Sequence, residues 1–146
     1  MDIKMKKILI IFLFIIATIG CATQGQLSTL PKVKSQTTAC DVFVIRKSTI
    51  YGGALIYTFG IDHQDIVALA SGNYVTFKVD SGTHIASVKY PRQLFLGTAQ
   101  SSLEFECISS NEVYIYLWPG LAVNMELLQE EEGSKLIQNA KLIDLK

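Results

Sequence analysis

The sequence predicts a mainly β protein, namely an antiparallel β-sandwich or partly closed barrel of about seven to eight strands with a short C-terminal α-helix. After Ala39, short runs rich in Val, Ile, Tyr and Phe recur about every ten residues, separated by clusters of Gly, Asn, Asp and Ser. Within Tyr74–Val79 polar and apolar side chains alternate, which is the period of a half-buried strand. Short runs at this spacing are typical of antiparallel sheets that pack face to face.

Eight runs have this character, and each ends at a turn signal such as Asp80-Ser81-Gly82 or Pro119-Gly120. The candidate strands are Cys40–Arg46, Ala54–Ile61, Asp65–Ala70, Tyr74–Val79, Ile85–Tyr90, Leu103–Ile108, Val113–Trp118 and Val123–Leu128. No repeat of 20 to 50 residues is visible in this part of the chain. The sequence therefore predicts one β-sandwich domain over residues 39–146.

The last segment has a helical pattern instead. Three glutamates at 130–132 precede Ser134–Lys141, in which Leu136, Ile137 and Ala140 share one helical face. Acidic side chains stabilise the positive end of a helix, and a lysine stabilises its negative end. We expect a short terminal helix whose apolar side lies on a sheet face or closes one end of the sandwich.

The N-terminus has the pattern of an export signal. Residues 1–7 carry three lysines, and Ile8–Ile19 is apolar apart from Thr18. A run of about twelve residues is short for a membrane span, which needs roughly 20. The run ends at Gly20-Cys21, which resembles the lipobox of bacterial lipoproteins and implies a signal peptide over residues 1–20 and lipidation of Cys21. Ordinary secretory cleavage and an uncleaved anchor are the alternatives.

Residues 21–38 are predicted to form a lipidated flexible tether, because they are polar and lack both helix and strand periods. A free coil of this length reaches about 23 Å on average. Ala22 stands where an aspartate would retain a lipoprotein in the inner membrane, so the resemblance implies the periplasmic face of the outer membrane. Cleavage leaves ten basic and twelve acidic side chains, which argues against nucleic-acid binding and leaves membrane attachment to the lipid.

The two other cysteines, Cys40 and Cys107, form an even pair in a chain predicted to enter an oxidising compartment. A bond between them would close a loop of about 68 residues and stabilise the domain by roughly 4 kcal/mol. We predict this disulfide. The alternative is two buried thiols that never meet.

A search for catalytic or metal-binding residues gives no complete set, so no catalytic residue, metal ligand or cofactor is predicted. Asp62-His63-Gln64-Asp65 offers metal-ligating side chains but is also a typical polar hairpin loop. His84 is expected to pack or hydrogen-bond locally. Glu104 and Glu106 would share one face of a strand and could act as paired carboxylates, although a solvated face explains them as well.

Aromatic side chains are the remaining candidates for binding, because tyrosine and tryptophan suit glycan and peptide ligands. Tyr114, Tyr116 and Trp118 alternate on one face of a strand, and this stripe is either core or an exposed platform. Leu94-Phe95-Leu96 in the loop 91–102 is the most prominent apolar loop segment, either a docking surface or a cover over one end of the sandwich.

Four short segments together resemble the domain-of-unknown-function 2846 family of bacterial lipoproteins: Val42–Ser48, Gly72–Tyr74, Gly82–His84 and Glu130–Gly133. In that family the first strand ends in an arginine before a turn, and a lipobox precedes the domain. The resemblance covers about Ala39 to Leu142. It implies a fold and a location, because the family carries no established activity.

We therefore expect a membrane-anchored periplasmic lipoprotein that acts as a non-catalytic binding or structural module of the bacterial cell envelope. Its partners would be the membrane, through the lipid, and an envelope protein or glycan. Two alternatives are an accessory subunit of an envelope secretion or transport assembly and an envelope hydrolase acting on glycan or peptide.

Overall fold

The computed structural model describes residues 24–50, 52–91, 98–120 and 122–146. These residues form ten strands and one helix in the order β1 (Gly25–Gln26), β2 (Cys40–Arg46), β3 (Tyr57–Ile61), β4 (Gln64–Leu69), β5 (Asn73–Val79), β6 (Gly82–Pro91), β7 (Thr98–Cys107), β8 (Glu112–Pro119), β9 (Val123–Leu128), α1 (Glu130–Ile137) and β10 (Lys141–Leu142). The eight longer strands are the eight that the sequence predicts. The predicted mainly β fold with a short C-terminal helix is confirmed.

Two five-stranded sheets pack against each other. The first has the order β1-β4-β3-β6-β7 and the second the order β10-β5-β2-β8-β9. Their inward side chains form one core, in which Phe59 of the first sheet lies 6.4 Å from Phe77 of the second, between ring centroids. Every second residue of β2 and β5 is buried there, as the period of a strand requires.

The second sheet differs from the antiparallel expectation at two pairings. Strand β2 runs parallel to β8, with Val44 opposite Ile115, and β10 runs parallel to β5. The sequence could not reveal this, because side-chain alternation fixes the face of a strand and not its direction. All pairings of the first sheet are antiparallel within the described residues.

The helix α1 begins at Glu130 and ends at Ile137, so the three glutamates form its first turn instead of preceding it. It lies on the outer face of the second sheet, where Gly133 packs directly on the ring of Tyr114. A Cβ atom at Gly133 would collide with that ring, so the close approach requires glycine. Within the described ranges, no helix has the length and apolar character that a membrane span requires.

The segment predicted as a flexible tether is attached to the domain from Gln24 onward. Gly25 and Gln26 pair with Ala68 and Val67 of β4, and the Leu27 N–H donates to the Ile66 carbonyl at 2.8 Å. Backbone groups at a sheet edge accept any chain that offers its own, so a polar composition does not reveal this pairing. Residues 1–23, which include the predicted signal peptide and Cys21, lie outside the described residues.

The sandwich has two ends that differ in how its sheets are joined. At one end, called the disulfide end, β2 begins at Cys40 and β7 finishes at Cys107. At the other, called the arginine end, β2 finishes at Arg46 opposite Leu117, and Tyr57 lies opposite Leu69. The described residues of three connections, 47–50 with 52–56, 70–72, and 120 with 122, lie at the arginine end.

Candidate functional site

The aromatic stripe of β8 is divided by the helix. Tyr114 is buried, with its ring stacked 4.8 Å from that of Phe43 and covered by α1. Its hydroxyl donates to a carboxylate oxygen of Glu112 at 2.5 Å and lies 3.1 Å from the Ser134 hydroxyl. Burial, followed by the hydrogen bond to Glu112, raises the pKa of Tyr114. This tyrosine therefore belongs to the packing between helix and sheet.

The other two aromatic side chains remain partly exposed beside the helix. Tyr116 and Trp118 lie with ring centroids 5.8 Å apart and ring planes 28° from parallel. In the neighbouring strand β9, Glu126 lies opposite Tyr116 and Asn124 lies opposite Trp118. We call Tyr116, Trp118, Glu126 and Glu132 the aromatic shelf.

The aromatic shelf carries negative potential. Burial raises the pKa of Tyr116, and the charges of Glu126 and Glu132 raise it further, so the phenol stays neutral between two exposed carboxylates. Aromatic faces attract cations through their quadrupole, and adjacent carboxylates add to that attraction. Its chemistry therefore favours recognition of a cationic or hydroxyl-rich group.

The segment considered for metal binding, Asp62-His63-Gln64-Asp65, forms a hairpin turn and the start of β4. Asp62 and His63 connect β3 to β4 with φ angles of 48° and 69°, the left-handed backbone of a two-residue hairpin loop. Asp62 is instead paired with His84, whose Nδ1 lies 2.7 Å from a carboxylate oxygen and whose Nε2 lies 2.8 Å from the Asp80 carbonyl. No cluster of three or more metal-ligating side chains occurs in the part of the chain that the structure describes.

The pairing of Asp62 has an electrostatic effect. Burial alone would raise the pKa of this carboxyl, but the N–H of Ile85, which donates at 3.0 Å, and the neighbouring His84 outweigh it and lower the pKa. His84 also packs against Phe105, with centroids 5.6 Å apart. It has the local hydrogen-bonding and packing role that the sequence predicts.

The two carboxylates considered for acid–base chemistry lie on the edge strand β7. Glu104 is opposite Ile85, Glu106 is opposite Thr83, and both are exposed. Among the described residues, no hydrogen bond or ion pair joins either of them to another side chain. The apolar segment Leu94-Phe95-Leu96 lies outside the described residues.

The predicted disulfide is confirmed. Cys40 and Cys107 are bonded, with Cα atoms 5.8 Å apart, and the bond joins the second sheet to the first. Both cysteines are buried. Lipidation of Cys21 stays a prediction.

Arg46 is a buried charged residue that the residue patterns did not single out. It is 1% exposed, and one guanidinium nitrogen donates to the carbonyls of Leu55 and Leu69 at 2.6 Å each. The other terminal nitrogen donates to the Gly52 carbonyl at 3.1 Å, and the guanidinium lies 3.6 Å from the centroid of the Tyr57 ring. Burial lowers the pKa of this side chain, although Tyr57 partly opposes the shift.

A signal for this arginine was present in the sequence. Cys40, Val42 and Val44 alternate on the buried face of β2, and the same period places residue 46 on that face. A buried cation is costly unless polar groups surround it. An inward arginine at the end of a strand therefore predicts a set of carbonyl acceptors from the adjoining loops.

No known family model matches this chain, and none of the curated proteins compared with it matches either.

Proposed function

We propose that the protein is a lipoprotein of the bacterial cell envelope, anchored through Cys21 at the periplasmic face of the outer membrane, and that its β-sandwich is a binding or structural module. The Gly20-Cys21 junction after an apolar run supports the anchor. The resemblance to the domain-of-unknown-function 2846 family supports the same class of protein.

The observation that carries the proposal is the distribution of the three cysteines. Cys40 and Cys107 are bonded to each other inside the domain, and intramolecular disulfides persist in oxidising compartments outside the cytosol. The remaining cysteine stands alone at the end of an apolar N-terminal run. A single thiol at that position is what lipid attachment requires, and two or three acyl chains hold a protein stably at a membrane.

The anchor can be tested by metabolic labelling of the full chain with a clickable fatty acid in a Gram-negative host. Cys21→Ser should lose the label and move from the membrane pellet to the soluble periplasmic fraction. Cys107→Ser is the matched control, because it also removes one thiol but should keep label and pellet. Equal labelling of Cys21→Ser and the unchanged chain would refute the anchor.

The aromatic shelf is the surface that we assign to a partner, either an envelope protein or glycan or, in the alternative role, a secretion or transport assembly. Its exposed carboxylates and partly exposed rings offer binding energy that the domain itself does not use. A photo-crosslinking amino acid at position 118 should capture the partner in intact cells, whereas the same amino acid at exposed position 104 should not. Equal capture at both positions would remove the shelf from the binding surface.

A further inference from the structure

We propose that the arginine end of the sandwich rests on the lipid surface, in an orientation fixed by the short chain between Cys21 and β1, with Ile50 in contact with that surface. The inference rests on the lipidation proposed above. It adds a second membrane contact, made by the folded domain itself.

Only a short chain connects the lipid to the domain. The Asn73 amide donates to the side-chain oxygen of Gln24 at 2.6 Å, and Gly25 is paired with Ala68. The domain therefore holds the chain from Gln24 onward, three residues after Cys21. Three residues span at most about 11 Å when fully extended. That is about half the average reach of the free tether expected from composition.

This short chain joins the domain at the arginine end. Asn73 begins β5 and Ala68 lies near the end of β4, and both positions are at the arginine end. Because β1 is antiparallel to β4, the chain enters at the arginine end and runs toward the disulfide end. A ten-residue strand such as β7 is about 33 Å long, which far exceeds the reach of the connecting chain. Of the two ends, only the arginine end can therefore lie against the bilayer.

The arginine end carries an exposed aliphatic side chain. Ile50, in the connection between β2 and β3, is fully exposed at 103% of its reference surface. Its loop is held in place, because Arg46 binds the carbonyls of Gly52 and Leu55 and the Ser71 hydroxyl accepts from the Thr49 N–H at 3.0 Å. A large aliphatic side chain on a fixed loop exposes apolar surface that a bilayer would cover.

Two lysines at this end suit an anionic leaflet. Lys47, in the connection between β2 and β3, and Lys141, which begins β10, are both exposed. Lys141 lies opposite Asn73, beside the entry of the chain. Lysines near a surface of anionic lipid are attracted to it. Charge and exposed apolar surface therefore favour lipid as the occupant.

Hydrogen–deuterium exchange tests the orientation. The mature lipoprotein would be reconstituted into vesicles of phosphatidylethanolamine and phosphatidylglycerol at a 3:1 ratio and compared with the soluble Cys21→Ser protein. Exchange at 47–56 and 70–72 should slow severalfold on vesicles, while exchange at 108–111, at the disulfide end, should not change. Equal protection of both ends, or none at either, would overturn the proposal.

Two pairs of variants make the test specific. A twelve-residue Gly-Ser insertion between Ala22 and Thr23 should keep the lipid but remove most of the protection at 47–56, whereas the same segment after Lys146 should leave it. Ile50→Ser should weaken the protection more than Ile108→Ser, because Ile108 is also exposed but lies at the disulfide end. Protection that survives both the insertion and Ile50→Ser would contradict the proposal.

The outcomes also separate the two proposals. Intact mass measured before reconstitution reports whether Cys21 carries acyl chains, and their absence would end the anchor and the orientation together. Acylated protein without the expected protection pattern would end the orientation alone. Protection that appears only in native membranes and not in pure lipid vesicles would indicate a protein partner at this end, and would likewise overturn the lipid contact.

Discussion

Strand β2 is fastened to the opposite sheet at both of its ends, but by different means. At the disulfide end Cys40 is bonded covalently to Cys107, whereas at the arginine end Arg46 lies against Tyr57 and binds the Leu69 carbonyl, both of the first sheet. The covalent link joins two strands and involves no loop. The arginine also donates to the carbonyls of Gly52 and Leu55 in the connection between β2 and β3. One end is therefore fixed by a bond, and the other by a polar centre that orders the loops around it.

The comparison shows why a cation can be buried without a carboxylate beside it. Among the described residues, the guanidinium of Arg46 meets three backbone carbonyls and one aromatic face and forms no ion pair. Carbonyl dipoles replace the water that the cation loses on burial. Those carbonyls in turn need a donor, because buried acceptors without one are costly. The arginine and the loop backbone thus depend on each other.

The largest effect is expected from cutting the covalent link. Replacing both Cys40 and Cys107 by alanine should lower the free energy of unfolding by about 4 kcal/mol, because the bond closes a long loop and restricts the unfolded chain. Urea unfolding of the purified oxidised protein measures this, and Cys21→Ser serves as a control without effect on stability. A loss below about 1 kcal/mol would show that the rest of the fold already holds this end together.

A smaller loss, about 3 kcal/mol, is expected from Arg46→Met, which leaves three carbonyls without their donor. Lys47→Met is the matched control, since it removes the same charge from an exposed neighbour and should change stability little. Faster amide exchange should be confined to 47–56 and 70–72. An unchanged free energy of unfolding would show that water or the backbone satisfies these carbonyls without the arginine.

The contribution of the contact between Arg46 and Tyr57 can be measured separately with a double-mutant cycle. Tyr57→Leu by itself should lower the free energy of unfolding. The loss in the double variant with Arg46→Met should be smaller than the sum of the two single losses. The difference should be about 1 kcal/mol, the usual size of a cation–π contact. Strictly additive losses in urea unfolding would mean that the two side chains contribute independently.

The smallest effect is expected on the pH dependence of stability, and it concerns Asp62 at the disulfide end. Because the folded protein lowers the pKa of Asp62 below its ordinary value of 3.8, this carboxylate contributes stability above that pH, and the contribution is lost as pH falls through the folded value. Asp62→Asn should therefore weaken the decline in stability in acid, at pH values near and below 4. The side chain is half exposed, so the change should be small. An acid unfolding curve identical to that of the unchanged protein would contradict the lowered pKa of Asp62 in the folded protein.

Much of the fold could be predicted from the sequence, because alternation and turn residues act locally. The bounds of β2 and β9 agree with the prediction, whereas β6 is longer at both ends and β7 begins at Thr98, before the predicted Leu103, and ends at Cys107. Their hairpin continues through Gln100, Ser101 and Ser102, which have little strand propensity and are held by backbone pairing. The pairing of Gly25 with β4 could not be predicted either, because backbone groups make it and no side-chain pattern marks it.

The candidate site was predictable only in part. The shared face of Tyr114, Tyr116 and Trp118 follows from strand period, but which of them is covered depends on where the helix lies. That position is set by contact between Gly133 and Tyr114, two residues far apart in the chain. The buried site of Arg46 follows from period alone, yet its acceptors come from loops whose course no local pattern specifies.

The parallel pairing of β2 with β8 has a consequence for the order in which the protein can fold. Asp41 to Arg46 are matched with Glu112 to Leu117, so the central strand of the second sheet lacks one neighbour until most of the chain has been made. Contacts between residues so distant in sequence form late and slowly. A chain that emerges from its N-terminus therefore cannot complete the second sheet until β8 and β9 have been made, whereas the hairpins β3–β4 and β6–β7 of the first sheet need only neighbouring segments.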